Sequence, residues 1–149
     1  MRNRGQILLE ARFGVRYHEL NAYVYRQLDR GVRASVLAAA AIAYANLGAG
    51  LGALTPLAAV AGGIALAAHL ACDPFGKAAA HREAARRLRG LLAREARCEA
   101  QRIDAELHRL HGDLPVGLPV LYALAQVEVL RREGRLAPGL AHRLLGLLT

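Results

Sequence analysis

The pattern of apolar and polar positions divides the chain into a charged first part, an uncharged middle and a charged last part. Residues 34–72 are 39 consecutive positions without Asp, Glu, Lys or Arg, whereas a soluble segment of that length carries about eight charged residues. One bilayer span requires about 20 apolar residues, so this segment is long enough for two. It is therefore predicted to be a transmembrane helical hairpin within an all-α protein.

The centre of the uncharged segment has the composition of a turn, because glycine and proline interrupt helices. Its glycines, its proline and one polar residue are Asn46, Gly48, Gly50, Gly52 and Pro56. We predict one helix at about 34–49 and another at about 54–72. Pro56 then lies in the first turn of the second helix, where its missing N–H is not needed.

On both sides of the hairpin, apolar residues recur every three or four positions, which predicts amphipathic helices. The predicted helices outside the hairpin are at about 6–30, 74–111, 119–133 and 138–148. Asp73-Pro74 is typical of a helix start. The chain accordingly divides into an N-terminal helix (1–33), the hairpin (34–72) and a helical C-terminal domain (73–149), with both flanking parts in the cytoplasm.

The long helix predicted at 74–111 carries an apolar stripe that resembles one face of a coiled coil. Its larger members are Leu88, Leu91, Ile103, Leu107 and Leu110. A lone helix of this length would leave the stripe in water. The stripe is therefore expected to pack on the N-terminal helix, on a second copy of the chain, or on both, and we expect a homo-oligomer.

The formal net charge of +8 is shared between the two flanking parts, and the predicted turn has no charged residue. The basic residues nearest the hairpin are Arg26, Arg30, Arg33, Lys77, Arg82 and Arg86. Basic residues accumulate on the cytoplasmic side of membrane proteins. Both termini are thus predicted in the cytoplasm of a bacterium, with the hairpin in its inner membrane.

A buried, alanine-rich hairpin in a soluble helical bundle is the alternative interpretation, and Asn46 and His69 would suit it. In the membrane interpretation, His69 is an ionisable residue about one turn from the end of a span, either a pH sensor or a side chain solvated at the interface. Gly62 and Gly63 belong to a set of small residues that permit close helix packing. His81, next to Arg82, is expected to make a lipid-headgroup or structural contact.

The sequence contains no motif that predicts catalysis or the binding of a cofactor. It has no phosphate-binding glycine loop, nucleophile elbow or dinucleotide fingerprint, and Ser35 is its single serine. No metal site is predicted. The arginine-rich face after the hairpin is interrupted by glutamates and lacks aromatic residues for base stacking, so nucleic acid is not an expected partner.

The order of elements resembles the SLATT superfamily of two-span membrane proteins from bacterial conflict systems, with its phage and prophage relatives. The likeness is carried by three stretches, which are Arg16-Tyr17-His18, then Asp73-Pro74-Phe75-Gly76-Lys77-Ala78 with His81, Ala85 and Leu88, and finally Leu121 to Ala125 with Arg132-Glu133-Gly134. The resemblance implies an oligomeric protein that perturbs the membrane or forms pores in it.

The expected function is therefore that of a homo-oligomeric inner-membrane protein that permeabilises or remodels the bilayer. Two other classes stay open. One is a membrane-anchored module that binds or inhibits a host or phage protein, as in superinfection exclusion. The other is a soluble helical scaffold.

Overall fold

A computed structural model describes residues 2–49, 54–95 and 98–134, with side chains for these residues except 46–49 and 54. The described residues form helices and no strand, which confirms the prediction of an all-α protein. The helices are α1 (Arg4–Ala49), α2 (Leu54–Cys72), α3 (Pro74–Ala93), α4 (Ala100–Asp113) and α5 (Pro119–Arg132). The helix predicted at 138–148 lies outside the described residues.

Helix α1 is a single helix of 46 residues, whereas the sequence predicted a break between helices at 6–30 and 34–49. The intervening segment 31–33 contains no proline, and Gly31, which could end a helix, lies within α1. Ser35, the nearest hydroxyl, donates its Oγ–H to the carbonyl oxygen of Gly31 at 2.9 Å, within the helix. The change from charged to apolar residues at position 34 is therefore not a boundary of secondary structure.

The prediction of one helix over 74–111 is wrong, because α3 ends at Ala93 and α4 begins at Ala100. A tight turn follows α3, with the Arg94 N–H donating to the Leu91 carbonyl oxygen at 3.1 Å. The break lets both halves of the apolar stripe reach one core. That burial favours the broken helix over a continuous one, although no glycine or proline lies between residues 94 and 99.

The chain separates into two compact units. The bundle unit comprises Met1–Tyr23 and Ala78–Thr149, and the apolar unit comprises Val24–Lys77. The core of the bundle unit brings the start of α1 together with α3 and α4, and its buried members are Ile7, Ala11, Leu88, Leu91, Ile103 and Leu107. Leu110 is partly buried at its edge. The predicted stripe is thus occupied within one chain.

Helix α5 is tied to α1 in the bundle unit through Asn21, which is fully buried. Its Oδ1 accepts the N–H of Leu118 at 2.7 Å, and its Nδ2 donates to the carbonyl oxygen of Tyr17 at 2.9 Å. A Cβ on Gly117 would lie 2.6 Å from the Asn21 amide, so glycine is required there. The loop before α5 is thereby fixed to α1.

Candidate functional site

Residues 34–45 and 55–72 of the apolar unit expose a largely apolar surface. None of the described side chains at 34–45 and 55–72 is buried. Its large exposed side chains are Leu37, Ile42, Tyr44, Leu57, Val60, Ile64, Leu66 and Leu70, with exposed fractions from 47% to 81%. A helix that is apolar all round requires non-aqueous surroundings, and patches of this kind mark interaction surfaces.

One helical stretch of the described residues, Thr55–Ala93, contains a segment long and apolar enough to cross a membrane, and no residue of that segment is buried. The core helix of a soluble protein passes the same test of length and composition, but there it is mostly buried. Helix α2 differs from such a core helix in that none of its described side chains is buried.

The two helices of the apolar unit contact each other along a narrow seam of half-buried positions. On α1 these are Val36, Ala39 and Ala43, and on α2 they are Ala58, Gly62, Ala65 and His69. A Cβ on Gly62 would lie 3.0 Å from the Cβ of Ala39, whereas a Cβ on Gly63 would meet no atom within 4 Å. Of the two predicted packing glycines, only Gly62 lies in the contact.

A polar cluster lies at one end of this seam. The carboxylate of Asp29 is 9% exposed, and its Oδ1 accepts Arg33 Nε–H at 3.1 Å. His69 Nε2 lies 3.7 Å from the same oxygen, which is too long for a hydrogen bond. The contacts of Asp29 with His69 and of Ala39 with Gly62 require α1 and α2 to run antiparallel here. His69 Nδ1 is buried and has no hydrogen-bond partner among the described residues.

Two cation–π contacts surround the same end of the apolar unit. The guanidinium of Arg33 lies 5.8 Å from the centroid of the Phe75 ring, and Lys77 Nζ lies 5.8 Å from that of Tyr25. Pairs of aromatic and basic side chains are typical of the boundary between hydrocarbon and water. These aromatic and basic side chains lie where the apolar surface of the two helices ends.

The helix start predicted at Asp73-Pro74 is confirmed. Asp73 has a φ of 39°, in the left-handed region that Asp tolerates better than most residues, and its Oδ1 accepts the Gly76 N–H at 3.0 Å. A Cβ on Gly76 would lie 2.0 Å from Asp73 Oδ2, so a larger residue there would require the Asp73 carboxylate to shift.

The remaining predicted site residues are dispersed. Pro56 is exposed on α2, Arg30 is exposed on α1, and Arg26 Nε is buried without a hydrogen-bond partner in the described part of the chain. Arg82 Nε donates to the Ala78 carbonyl oxygen at 3.4 Å, and Arg86 pairs with Glu83 at 2.7 Å. Gly50 and Gly52 lie outside the described residues, as do the side chains of Asn46 and Gly48.

Several arginines of the bundle unit are paired with carboxylates of the same unit. Arg16 bonds to Glu128 at 2.6 Å and to Glu19 at 3.1 Å, and Arg89 also pairs with Glu19. Burial alone would raise the pKa of Glu19, but the hydrogen bonds from Arg89 and Arg16 lower it below its ordinary value. Hydrogen bonds from Arg86 and Arg87 lower the pKa of Glu83 to about 2.

The bundle unit contains a histidine pair that the sequence interpretation missed. His18 on α1 and His81 on α3 are 2% and 1% exposed, and their Nδ1 atoms are 2.8 Å apart. One Nδ1 must donate and the other accept, so at least the accepting imidazole is neutral. Burial, together with His81 and His111, lowers the pKa of His18 to about 4, and burial lowers that of His81.

Two contacts were expected for His81, one with a lipid headgroup and one within the protein. The structure shows the contact within the protein. A usable signal was present in the sequence, because His81 lies at helical spacing with the buried residues Ala78, Ala85 and Leu88. That spacing predicts a core-facing histidine.

A scan against protein-family models and searches of curated proteins and of solved structures found no match for this chain.

Proposed function

We propose that residues 34–72 cross a bilayer twice and that the chain is an integral protein of a bacterial inner membrane. The observation that carries this proposal is the apolar surface of α2, which the described residues cover only along one seam. Leaving Leu57, Ile64 and Leu70 in water would forfeit about 25 cal/mol for each Å² of apolar surface. Lipid chains remove that cost for every face at once.

The lengths of the helices suit a bilayer. The 19 residues of α2 extend about 28 Å at about 1.5 Å per residue, close to the hydrocarbon thickness of about 30 Å. Helix α1 continues without a break from the charged segment into the apolar segment, so Arg33 and the first residues of the span lie on the same helix. Arg33, Lys77 and their aromatic partners would then lie among the headgroups.

The charge distribution supports an orientation with both termini in the cytoplasm. Seven arginines precede the apolar segment, thirteen basic residues follow it, and its centre has none. A basic excess on both flanks is retained on the cytoplasmic side. The short connection between α1 and α2 would then reach the periplasm.

Within this arrangement, we propose that copies of the chain assemble and permeabilise or remodel the membrane, as the resemblance to SLATT proteins implies. The surfaces available for contacts between copies differ from the apolar stripe that the sequence predicted. Leu88, Leu91, Ile103 and Leu107 are occupied in the core of one chain, so they are not available to another copy. The exposed faces of α1 and α2 supply the remaining apolar area for association.

A membrane-anchored module that binds a host or phage protein is the second candidate. It is favoured by an open groove of about 310 Å³ in the bundle unit. The apolar side chains that line this groove are Leu9, Phe13, Tyr122, Val129 and Leu130. Apolar grooves with a few polar groups accept amphipathic helices of partner proteins. In this case the apolar unit would serve as an anchor only.

Dye release separates these two functions. Purified protein is reconstituted into vesicles loaded with a fluorescent dye, and release is measured against protein concentration together with the size of the detergent-extracted particle. Permeabilisation by an assembly predicts release that rises steeply with concentration and a particle larger than one chain. Intact vesicles that contain stably inserted protein would contradict it and leave the anchored module.

A matched pair of variants also distinguishes a permeabilising assembly from an anchored binding module. Leu57→Ser weakens an exposed face of α2, whereas Tyr122→Ser changes the groove of the bundle unit. A permeabilising assembly predicts that Leu57→Ser reduces release and that Tyr122→Ser does not. The reverse pattern would place the function in the groove.

A further inference from the structure

The apolar unit contains an open groove of about 340 Å³ beside the seam between α1 and α2. Four apolar side chains line it, which are Val32, Val36, Leu37 and Leu66. Its polar lining comes from Arg33 and His69. The volume lies at the lower end of the range of about 300–1,000 Å³ for sites that hold small molecules. An occupant must therefore be apolar along most of its length and polar at one end.

The polar end of the groove is preorganised for an anion. Arg33 is held from two directions, by Asp29 through Nε and by the Phe75 ring, yet its side chain is 58% exposed. A guanidinium has five N–H donors, and phosphate is one of the groups it binds in a bidentate manner. Arg30, one turn away on the same helix, is exposed but does not line the groove.

The imidazole of His69 is the second polar group at this end of the groove, and its side chain is 22% exposed. Its Nε2 faces the Asp29 carboxylate at 3.7 Å, and its Nδ1 is buried without a hydrogen-bond partner among the described residues. The exposed edge of the ring is therefore the part of His69 that a molecule in the groove can contact.

We propose that this groove binds one acyl chain of an anionic phospholipid, with the phosphate on Arg33 and a lipid oxygen on His69. The inference rests on the proposed membrane location, because a free acyl chain is available only there. The apolar length of the groove requires the chain, so a simple phosphate ion does not meet the description. The site would fix one lipid at the boundary between hydrocarbon and headgroups.

The test measures lipids bound to the full chain purified in detergent, by native mass spectrometry. Phosphatidylglycerol and phosphatidylcholine with the same acyl chains are titrated separately. The wild-type protein is expected to bind phosphatidylglycerol about fivefold more tightly than phosphatidylcholine. That ratio corresponds to the free energy of about one basic side chain near an anionic lipid. Millimolar inorganic phosphate is expected not to displace it, and displacement would overturn the proposal in favour of a bare anion site.

Matched variants separate a site from general electrostatics. Arg33→Gln is expected to lose most of the preference for phosphatidylglycerol, whereas Arg30→Gln, with the same change of charge, is expected to keep it within about twofold. His69→Gln provides an independent variant if Arg33→Gln does not fold. Val36→Phe, which fills the groove, is expected to reduce binding of both lipids, and Ile42→Phe is not.

Equal loss of preference in Arg33→Gln and Arg30→Gln would overturn the lipid site. The outcome for the proposed function is separate. If the wild-type protein remains in washed membranes but shows no lipid preference, the groove proposal fails and the membrane location stands. If it is recovered without detergent, both fail.

Discussion

Gly62 on α2 lies directly against Ala39 on α1, so closely that a Cβ at position 62 would lie 3.0 Å from the Ala39 Cβ. The contact is in the half-buried seam that holds the two apolar helices together. Gly63, the next residue, has no atom within 4 Å of its Cβ position. Two adjacent glycines of the same helix thus have opposite surroundings.

This difference predicts that Gly62→Leu destabilises the apolar unit and Gly63→Leu does not. Overpacking a close contact costs about 1–3 kcal/mol, whereas an exposed Gly→Leu change gains about 0.5–1 kcal/mol of helix propensity. Thermal unfolding of the detergent-solubilised protein measures both variants. Equal melting temperatures would contradict the seam.

The buried stripe predicts that Leu107→Ala unfolds the bundle unit and does not merely separate copies. Leu107 is fully buried, and such truncations cost about 2–5 kcal/mol. Leu110→Ala, at the edge of the core, is the milder control. Denaturant unfolding at several protein concentrations checks this. A loss of stability that disappears at high concentration would indicate an interface between copies.

The histidine pair predicts that stability falls as pH falls. The pKa of His18 is lowered from 6.5 to about 4 in the folded chain, so the unfolded chain binds more protons between these values and stability is lost as pH falls through that window. The loss is at most about 3 kcal/mol for a shift of this size, because any solvent screening of the pair reduces it.

The free energy of unfolding is measured between pH 7 and pH 4 for wild type, His18→Phe and His108→Gln. His108 is 65% exposed and serves as the control. The wild type and His108→Gln are expected to lose stability in parallel, and His18→Phe much less. The same slope in all three proteins would contradict a neutral buried pair.

The proposed orientation predicts from which side of the membrane a cysteine at each of two positions can be labelled. Cys72 and Cys98 are replaced by Ser, and a single cysteine is introduced by Gly50→Cys or by Gln101→Cys, the latter at an exposed position of α4. A membrane-impermeant maleimide is added to intact spheroplasts. It is expected to label position 50 at once and position 101 only after lysis. Labelling in the opposite order would invert the topology.

The sequence predicted those helices whose ends are defined by local chemistry. The expected ranges 54–72 and 119–133 agree within one residue with α2 (Leu54–Cys72) and α5 (Pro119–Arg132). Proline near the start of each helix and the Asp73 cap after α2 are local signals. They act through backbone geometry and do not depend on distant contacts.

The sequence did not predict features that depend on tertiary contacts. The break between α3 and α4 has no local helix-breaking residue, and burial of Leu88 with Leu107 decides it. His18 and His81 are 63 positions apart, so their pairing follows only from the packing of α1 on α3. The contact of His69 with Asp29 likewise requires the antiparallel arrangement of α1 and α2.

Fractionation of the expressed wild-type protein tests the central claim, that the apolar helices lie in a bilayer. Membranes are washed with carbonate and then extracted with detergent, and the protein is measured in each fraction. The account predicts retention in the washed membrane pellet and release by detergent only. Recovery in the soluble fraction, or in the carbonate wash, would contradict it.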